Sequence, residues 1–210
     1  MTISLIRTLT ATVAAACWTV LVLAWVAGAL VNARRGSGPP PRRRPGPAGF
    51  AAASVVVAVT VTAVVGAVPA SAWQGATVRT AWVEVPGSAV LVASTAFALW
   101  ARVALGRMWS LAPMIRDGHT LRTHGPYAVT RHPIYTGLLG MLTGTVFIVG
   151  FGRSLVVIPA AAAVLAIKIR AEEQLLLESF PDEYPPYRRR VPRLVPGLRL
   201  LRRRPRTAGA

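Results

Sequence analysis

Long uncharged apolar stretches constrain this chain more than any other feature of its sequence. About 20 apolar helical residues cross the hydrocarbon core of a bilayer. Four stretches without a charged residue approach or exceed that length, at 9–31, 48–73, 85–101 and 133–152. A fifth, 154–167, is shorter and spans the membrane if Lys168 and Arg170 extend toward the headgroups. The sequence therefore predicts an all-α polytopic membrane protein with about five transmembrane helices.

The connection between the last two stretches predicts how they pack. Little more than "GFGR" separates them. A connection this short places two consecutive helices side by side in opposite directions. We therefore expect spans four and five to form an antiparallel hairpin, followed by a cytoplasmic C-terminal helical segment.

The basic residues predict the orientation of the spans. The net charge is +17, and 21 of the 24 Lys and Arg fall in 32–47, in 102–131 and after Ile167. Basic residues accumulate on the cytoplasmic side of a membrane. Five spans with an outside N-terminus therefore place the C-terminus in the cytoplasm, in a plasma membrane or bacterial inner membrane. The runs "RRRP" and "LRRRPR" suit anionic lipid headgroups, and no aromatic surface accompanies them to indicate nucleic acid.

Two further functional classes find little support. Cys17 is the single cysteine, so a disulfide framework or a thiolate metal site is excluded. His119, His124 and His132 lack the spacing and the acidic or thiol neighbours of an established metal site, and we expect no metal. No "GxGxxG" turn is present, which argues against a soluble nucleotide-binding or methyltransferase fold.

The segment "HGPYAVTRHPIYTG", residues 124–137, is the first candidate for a site. Pro133 suits the first position of a helix, which makes His132 the residue at its N-terminal cap. A helix start attracts an anion, and Arg131 and His132 strengthen that preference. The alternative is a membrane helix with basic flanking residues and interfacial tyrosine anchors.

Aromatic and charged residues near this helix start indicate a ligand with two kinds of charge. Tyr127 and Tyr135, with Trp109 upstream, could enclose a cation. A molecule with both a carboxylate and a positive centre, such as S-adenosylmethionine, would match such a site. Lys168 and Glu172 share one helix face, and we expect Glu172 to point inward in preference to Glu173, about 100 degrees away. A plain surface ion pair is the alternative.

Three segments resemble a known family. They are "LGRMWS", "DGHTLRTHGPYAVTRHPIYTG" and "RAEEQLLLESFPDEYPPYRRRVPRLVPG". Together they resemble the isoprenylcysteine carboxyl methyltransferase family, integral membrane enzymes that are also similar to phospholipid N-methyltransferases. The resemblance covers roughly residues 105–197, whereas the first two spans match only in being hydrophobic. It suggests three regions: transmembrane helices one to three in 1–104, a methyltransferase core in 105–197 and a basic disordered tail in 198–210.

The resemblance implies a membrane-embedded S-adenosylmethionine site and an enzyme that methylates a lipophilic acceptor. It implies that Lys168 orients the methyl acceptor. The residues that it implies contact the cofactor are His119, Thr120, Leu121, Arg122, Tyr127, His132, Pro133, Ile134, Tyr135 and Glu172.

Two departures from the family pattern leave the acceptor open. Ala112 stands where eukaryotic members carry a polar residue that contacts the cofactor. Lys168 stands where they carry arginine, so a point charge replaces a group able to bind a carboxylate through two hydrogen bonds. A carboxylate, a thiol and an amine are all possible acceptors.

Two rival functions belong to other classes. One is a membrane reductase that uses NADPH on a sterol-like or unsaturated lipid, with Arg116, Arg122 and Arg131 binding the 2′-phosphate. The other is a non-enzymatic basic membrane scaffold, whose C-terminal arginines bind anionic lipid.

Overall fold

The computed structural model describes residues 2–34, 69, 71, 73, 79–106 and 120–194. Within these ranges the chain is helical and contains no β-strand. The helices are α1 (Ile3–Arg34), α2 (Ala81–Leu105), α3 (Pro126–Val129), α4 (Pro133–Val149), α5 (Val157–Ser179) and α6 (Tyr184–Arg190), with a 3₁₀ turn at Gly152–Val156. The predicted second span, 48–73, lies outside the described residues except for positions 69, 71 and 73.

Three of the described helices are long and apolar enough to cross a membrane. They are Ile3–Val31, Ala81–Leu105 and Ser154–Ser179, and α4 is a shorter apolar helix. The all-helical, multi-pass membrane class predicted from the sequence is confirmed. The last of these helices continues twelve residues beyond the predicted boundary at Ile167. The count of five spans and the hairpin remain predictions.

Glycines end two of the helices. Gly106 follows α2 with φ of 54°, and its N–H bonds the carbonyls of Arg102 and Val103. Gly150 follows α4 with φ of 97°, and its N–H bonds the carbonyl of Val146. Positive φ costs glycine little because it has no Cβ, so both positions stop a helix that apolar sequence would otherwise continue.

The tightest helix packing is between α2 and α4, where glycines let the backbones approach. An added Cβ at Gly144 would lie 2.7 Å from the carbonyl oxygen of Gly87 and 2.8 Å from the amide nitrogen of Leu91. One at Gly137 would lie 2.7 Å from the Cβ of Ala98. Small residues of this kind are typical of helix interfaces in lipid, where close backbone contact replaces the hydrophobic effect. The buried core around the interface comprises Leu21, Leu91, Ala98, Met141 and Ile148.

A buried acid joins α1 to the first turn of α2. The Glu84 side chain is 1% exposed, and the Nε atoms of Arg7 and Arg79 lie 3.7 and 3.6 Å from its Oε1. Thr10 donates a hydrogen bond to its Oε2 at 3.4 Å. Arg7 and Arg79 are two of the three basic residues outside the clusters that predict orientation. Their pairing with Glu84 offsets that isolated positive charge.

The C-terminal end of the described chain packs back on α5. Tyr184, Tyr187 and Val191 form a buried cluster. Residues packed against it are Leu121, Leu176, Leu177 and Phe180. The helical segment predicted after the fifth span corresponds to α6, and its apolar face packs against Leu121 and the end of α5.

Candidate active site

The candidate site lies where α4 begins. His132 caps the helix and Pro133 takes its first position, as the sequence predicts. The Thr136 N–H and hydroxyl both donate to the carbonyl oxygen of His132, at 3.0 and 3.1 Å. Proline fits here because the first helical N–H has no partner within the helix. His132 therefore lies at the border between the apolar helix and the polar segment before it.

The ring of His132 lies between two carboxylates of α5. Its Nδ1 is 3.5 Å from Glu172 Oε2, and its Nε2 is 3.4 Å from Glu173 Oε1. The ring is buried, at 6% exposure, so it depends on these two groups in place of water. Two adjacent acids on α5 thus hold opposite edges of one imidazole.

Tyr135 joins the same group from the first turn of α4. Its hydroxyl donates to Glu172 Oε1 at 2.5 Å. Its ring stacks on His132 with centroids 5.7 Å apart, and Lys168 Nζ lies 5.3 Å from the Tyr135 centroid. The structure therefore brings Lys168 and Glu172 to the same tyrosine, as expected for residues that share one face of a helix.

Tyr127, on the short helix α3, is a further aromatic residue close to this group. Its side chain is buried, and the hydroxyl of Tyr187 donates to its carbonyl oxygen at 2.7 Å. Burial and the nearby negative charge of Glu172 hold the pKa of Tyr127 well above its usual range. The phenol is therefore neutral, and it lies within electrostatic reach of the carboxylate that binds Tyr135.

Glu173 also points inward, although its position on the helix led us to expect this of Glu172 in preference to Glu173. Glu173 is 4% exposed and is the more buried of the two acids. Arg131 Nη2 lies 3.1 Å from its Oε1, and Arg193 Nη2 donates to its Oε2 at 2.6 Å. Both arginines come from segments distant in sequence, so a projection along α5 could not show them. The sequence did carry one indication of a role for Glu173. Acidic residues are scarce in this chain, and an acid at the border of a membrane requires a partner.

The segment after α6 pairs with the start of α4 through hydrogen bonds. Arg131 N–H donates to the carbonyl of Pro192 at 2.9 Å, and His132 N–H donates to that of Arg193 at 3.2 Å. The hydroxyls of Thr130 and Thr136 donate to the carbonyls of Arg193 and Leu194. Oxygens of the protein itself therefore surround the helix start, where the sequence argument expected a ligand anion.

The other residues predicted to contact the cofactor do not all lie close to this group. Thr120 and Arg122 are exposed, whereas Leu121 packs on the cluster of Tyr184 and Tyr187. Pro133 is buried and Ile134 is half-buried. Four predicted residues outside the described ranges are Trp109, Ala112, Arg116 and His119. The structure thus brings together Tyr127, His132, Tyr135, Lys168 and Glu172, and the roles of 119–122 remain predictions.

The charge state of His132 leads to a prediction for stability against pH. Burial lowers the pKa of His132, but hydrogen bonds and the charges of Glu172 and Glu173 outweigh burial and raise it above 6.5. A pKa raised by folding adds stability in full below about pH 6.5, and this stability is lost as the pH rises through the folded-state pKa. We expect the unfolding temperature to fall over that range.

Thermal unfolding of the detergent-solubilised protein from about pH 6 to about pH 9 measures this effect. His132→Gln should flatten the profile in that range. His124→Gln is the matched control because the His124 residue is exposed. An identical pH profile in the wild type and His132→Gln would show that His132 does not carry the dependence.

The segment that contains this site matches a known protein family. Residues 87–178 match the profile of the isoprenylcysteine carboxyl methyltransferase (ICMT) family, and this range contains α3, α4 and most of α2 and α5. This segment belongs to the ICMT family. The family resemblance predicted from the three sequence motifs is confirmed. The ICMT region also contains every member of the group formed by Tyr127, His132, Tyr135, Lys168 and Glu172.

Curated relatives match about half of the chain. The chain is 37% identical over 100 residues to the cobalt-zinc-cadmium resistance protein CzcN of Cupriavidus metallidurans, covering 47% of this chain and 46% of the relative. It is 33% identical over 99 residues to a protein-S-isoprenylcysteine O-methyltransferase of Schizosaccharomyces pombe, covering 46% of this chain and 42% of the relative. The chain thus spans about half the length of the curated relatives that it matches.

A solved structure supports the fold. The eukaryotic intramembrane Ras methyltransferase ICMT superimposes with a TM-score of 0.52 at 21% identity. The match covers 73% of this chain and 54% of that one. At this level of identity the similarity establishes the helical membrane fold that both chains share.

Proposed function

We propose that this protein is an integral membrane methyltransferase that uses S-adenosylmethionine to methylate a lipophilic acceptor at the cytoplasmic membrane face. The observation that carries the proposal is the Glu172 carboxylate, bound by Tyr135 and His132 beside the buried Tyr127. Membership of residues 87–178 in the ICMT family supports a methyltransferase. We further propose residues 105–197 as the catalytic core.

The residues near the start of α4 fit the positive charge of S-adenosylmethionine. A carboxylate flanked by aromatic rings favours a cationic centre, through its charge and through the electron-rich ring faces. Tyr127, Tyr135 and Glu172 would hold the positive part of the cofactor, and His132 would hold Glu172 and Tyr135 in place. When bound, the cofactor supplies an electrophilic methyl group. The work of the protein is then alignment and exclusion of water, which buried rings provide without a catalytic acid or base.

Lys168 supports a lateral approach of the acceptor from the bilayer. Its ammonium lies 5.3 Å from the Tyr135 ring centroid, so it borders the same site. Before Lys168, the 3₁₀ turn and α5 expose large apolar side chains, namely Leu155, Val157 and Ile167. A lipophilic chain would follow this surface, and Lys168 would orient the polar end that receives the methyl group.

Methyl transfer is tested with detergent-solubilised protein, S-adenosylmethionine labelled in its methyl group and a lipid extract. We expect label in the lipid fraction with the wild type, and loss of most of it with Tyr135→Ala because this ring contacts both Glu172 and Lys168. Trp82→Ala is the aromatic control, since Trp82 is 90% exposed. Equal labelling by the wild type and Tyr135→Ala would contradict the proposed site.

The reductase alternative is separated from the proposal by thermal protection. S-adenosylhomocysteine should raise the unfolding temperature of the wild type, because a ligand that binds only the folded state stabilises it. NADPH should leave that temperature unchanged. Protection by NADPH and none by S-adenosylhomocysteine would favour a reductase.

A further inference from the structure

Glu173 connects two segments that the proposed cofactor site needs in fixed positions. Its Oε1 contacts Arg131 Nη2 at 3.1 Å, Arg193 Nε at 3.2 Å and His132 Nε2 at 3.4 Å. Its Oε2 accepts a further hydrogen bond from Arg193 at 2.6 Å. One buried carboxylate on α5 therefore binds the residues just before α4 and the segment after α6.

Arg193 bridges α4 and α5 through two different parts of the same residue. Its guanidinium binds Glu173 on α5 with both Nε and Nη2. Its carbonyl oxygen accepts hydrogen bonds from the His132 N–H at 3.2 Å and the Thr130 hydroxyl at 2.8 Å. Such a paired guanidinium–carboxylate contact fixes orientation as well as distance. The position of the carboxylate is thereby tied to the backbone of the histidine that it contacts.

His132 connects Glu173 to the residues of the proposed site. Nε2 faces Glu173, while Nδ1 faces Glu172, the carboxylate that binds Tyr135. The ring also stacks on Tyr135 with an interplanar angle of 15°. A shift of the ring to follow Glu173 would therefore change both the stacking on Tyr135 and the contact with Glu172.

We propose that Glu173 and Arg193 are positioning residues of the proposed cofactor site, which act through His132. Arg193 fixes the Glu173 carboxylate, Glu173 holds the Nε2 edge of His132, and His132 in turn holds Tyr135 and Glu172 in the arrangement that binds the cofactor. The expected effect of Glu173 and Arg193 on cofactor affinity rests on the proposed function. The structural part of the proposal concerns the His132 ring alone and can be measured without a cofactor.

Arg193 offers the better test because it can be changed without leaving a buried charge unpaired. Its side chain is 42% exposed, whereas that of Arg131 is 7% exposed and depends on Glu173 for compensation. In Arg193→Gln, Glu173 keeps Arg131 and His132 as partners. Arg193→Lys retains the charge but not the paired geometry. Arg189→Gln, on the exposed end of α6, is the matched control.

The first measurement is nitrogen NMR of histidine-labelled protein in detergent, without cofactor. The chain has three histidines, and His132→Gln assigns the His132 signals. The titratable groups that face the His132 ring are Tyr135, Glu172 and Glu173, and the charged groups that contact Glu173 behind it are Arg131 and Arg193. We expect Arg193→Gln to shift the His132 ring signals, Arg193→Lys to shift them less and Arg189→Gln to leave them in place. Unchanged His132 signals in Arg193→Gln would overturn the proposal.

The second measurement is calorimetric titration of the same proteins with S-adenosylhomocysteine. Arg193→Gln should weaken binding about tenfold, the size expected when one charge-assisted hydrogen bond that orients a site is lost. Arg193→Lys should recover part of this loss. Shifted His132 signals with wild-type affinity would overturn the coupling to the site. If even the wild type does not bind, shifted His132 signals still support the positioning of the ring, and the cofactor assignment fails instead.

Discussion

Replacing Glu173 with alanine is expected to lower the free energy of unfolding by about 3–5 kcal/mol, the usual cost of removing one partner from a buried ion pair. The effect is large because Arg131, 7% exposed, would lose the carboxylate that contacts it at 3.1 Å. Arg193 would also lose both of its side-chain hydrogen bonds to α5. We therefore expect the segment after α6 to separate from the start of α4.

Chemical or thermal unfolding of the detergent-solubilised variants measures the loss. Glu178→Ala is the matched control, since Glu178 lies on the same helix and is exposed. Proteolysis of the folded protein provides a local readout, because release of residues 192–194 should speed cleavage there. A Glu173→Ala protein as stable as Glu178→Ala would show that the buried ion pair does not stabilise this end of the molecule.

The second large effect is expected at the interface between α2 and α4. Gly144→Ala should lower the free energy of unfolding by about 1–3 kcal/mol, the range for overpacking a close contact. The added Cβ would meet the backbone oxygen of Gly87 at 2.7 Å and the backbone nitrogen of Leu91 at 2.8 Å. Backbone atoms within helices cannot rotate away, so the two helices must move apart.

Gly140→Ala, one helical turn earlier in α4, is the control for this prediction. An added Cβ there would meet Ser94 Oγ, which a rotamer change can move, and Ser94 Cβ at 2.9 Å, so it meets one fixed atom and no backbone atom of α2. Unfolding of the two variants in a denaturing detergent series should therefore rank Gly144→Ala as the less stable. Equal stability of Gly140→Ala and Gly144→Ala would contradict the close backbone packing of α2 and α4.

The sequence predicted the membrane helices well because lipid imposes a simple requirement. A helix that crosses a bilayer must be long and uncharged, and 9–31 and 85–101 meet both conditions. The apolar stretch that ends at Ile167 did not show how far α5 continues, because the next turns, "AEEQLLLES", carry three charged residues. This extension matters for function, since Glu172 and Glu173 lie within it.

The site was predictable where its residues lie close together in sequence or share a helix face. Tyr127, His132 and Tyr135 belong to one short segment, and Lys168 and Glu172 lie one turn apart on α5. Arg193 was not predictable in this way, because its backbone bonds to Thr130 and His132 join residues about sixty positions apart. Local periodicity carries no information about such contacts. The buried position of Glu173 follows from the same long-range pairing.

Calorimetric titration with S-adenosylhomocysteine tests the central claim most directly, on wild-type protein and on Glu172→Gln in detergent. Glu172→Gln retains the shape of the side chain and an acceptor for the Tyr135 hydroxyl but removes the negative charge. We expect saturable binding by the wild type and about tenfold or weaker binding by Glu172→Gln, with similar unfolding temperatures. Absence of binding by the wild type, or equal affinity in the two proteins, would contradict a cofactor site built around this carboxylate.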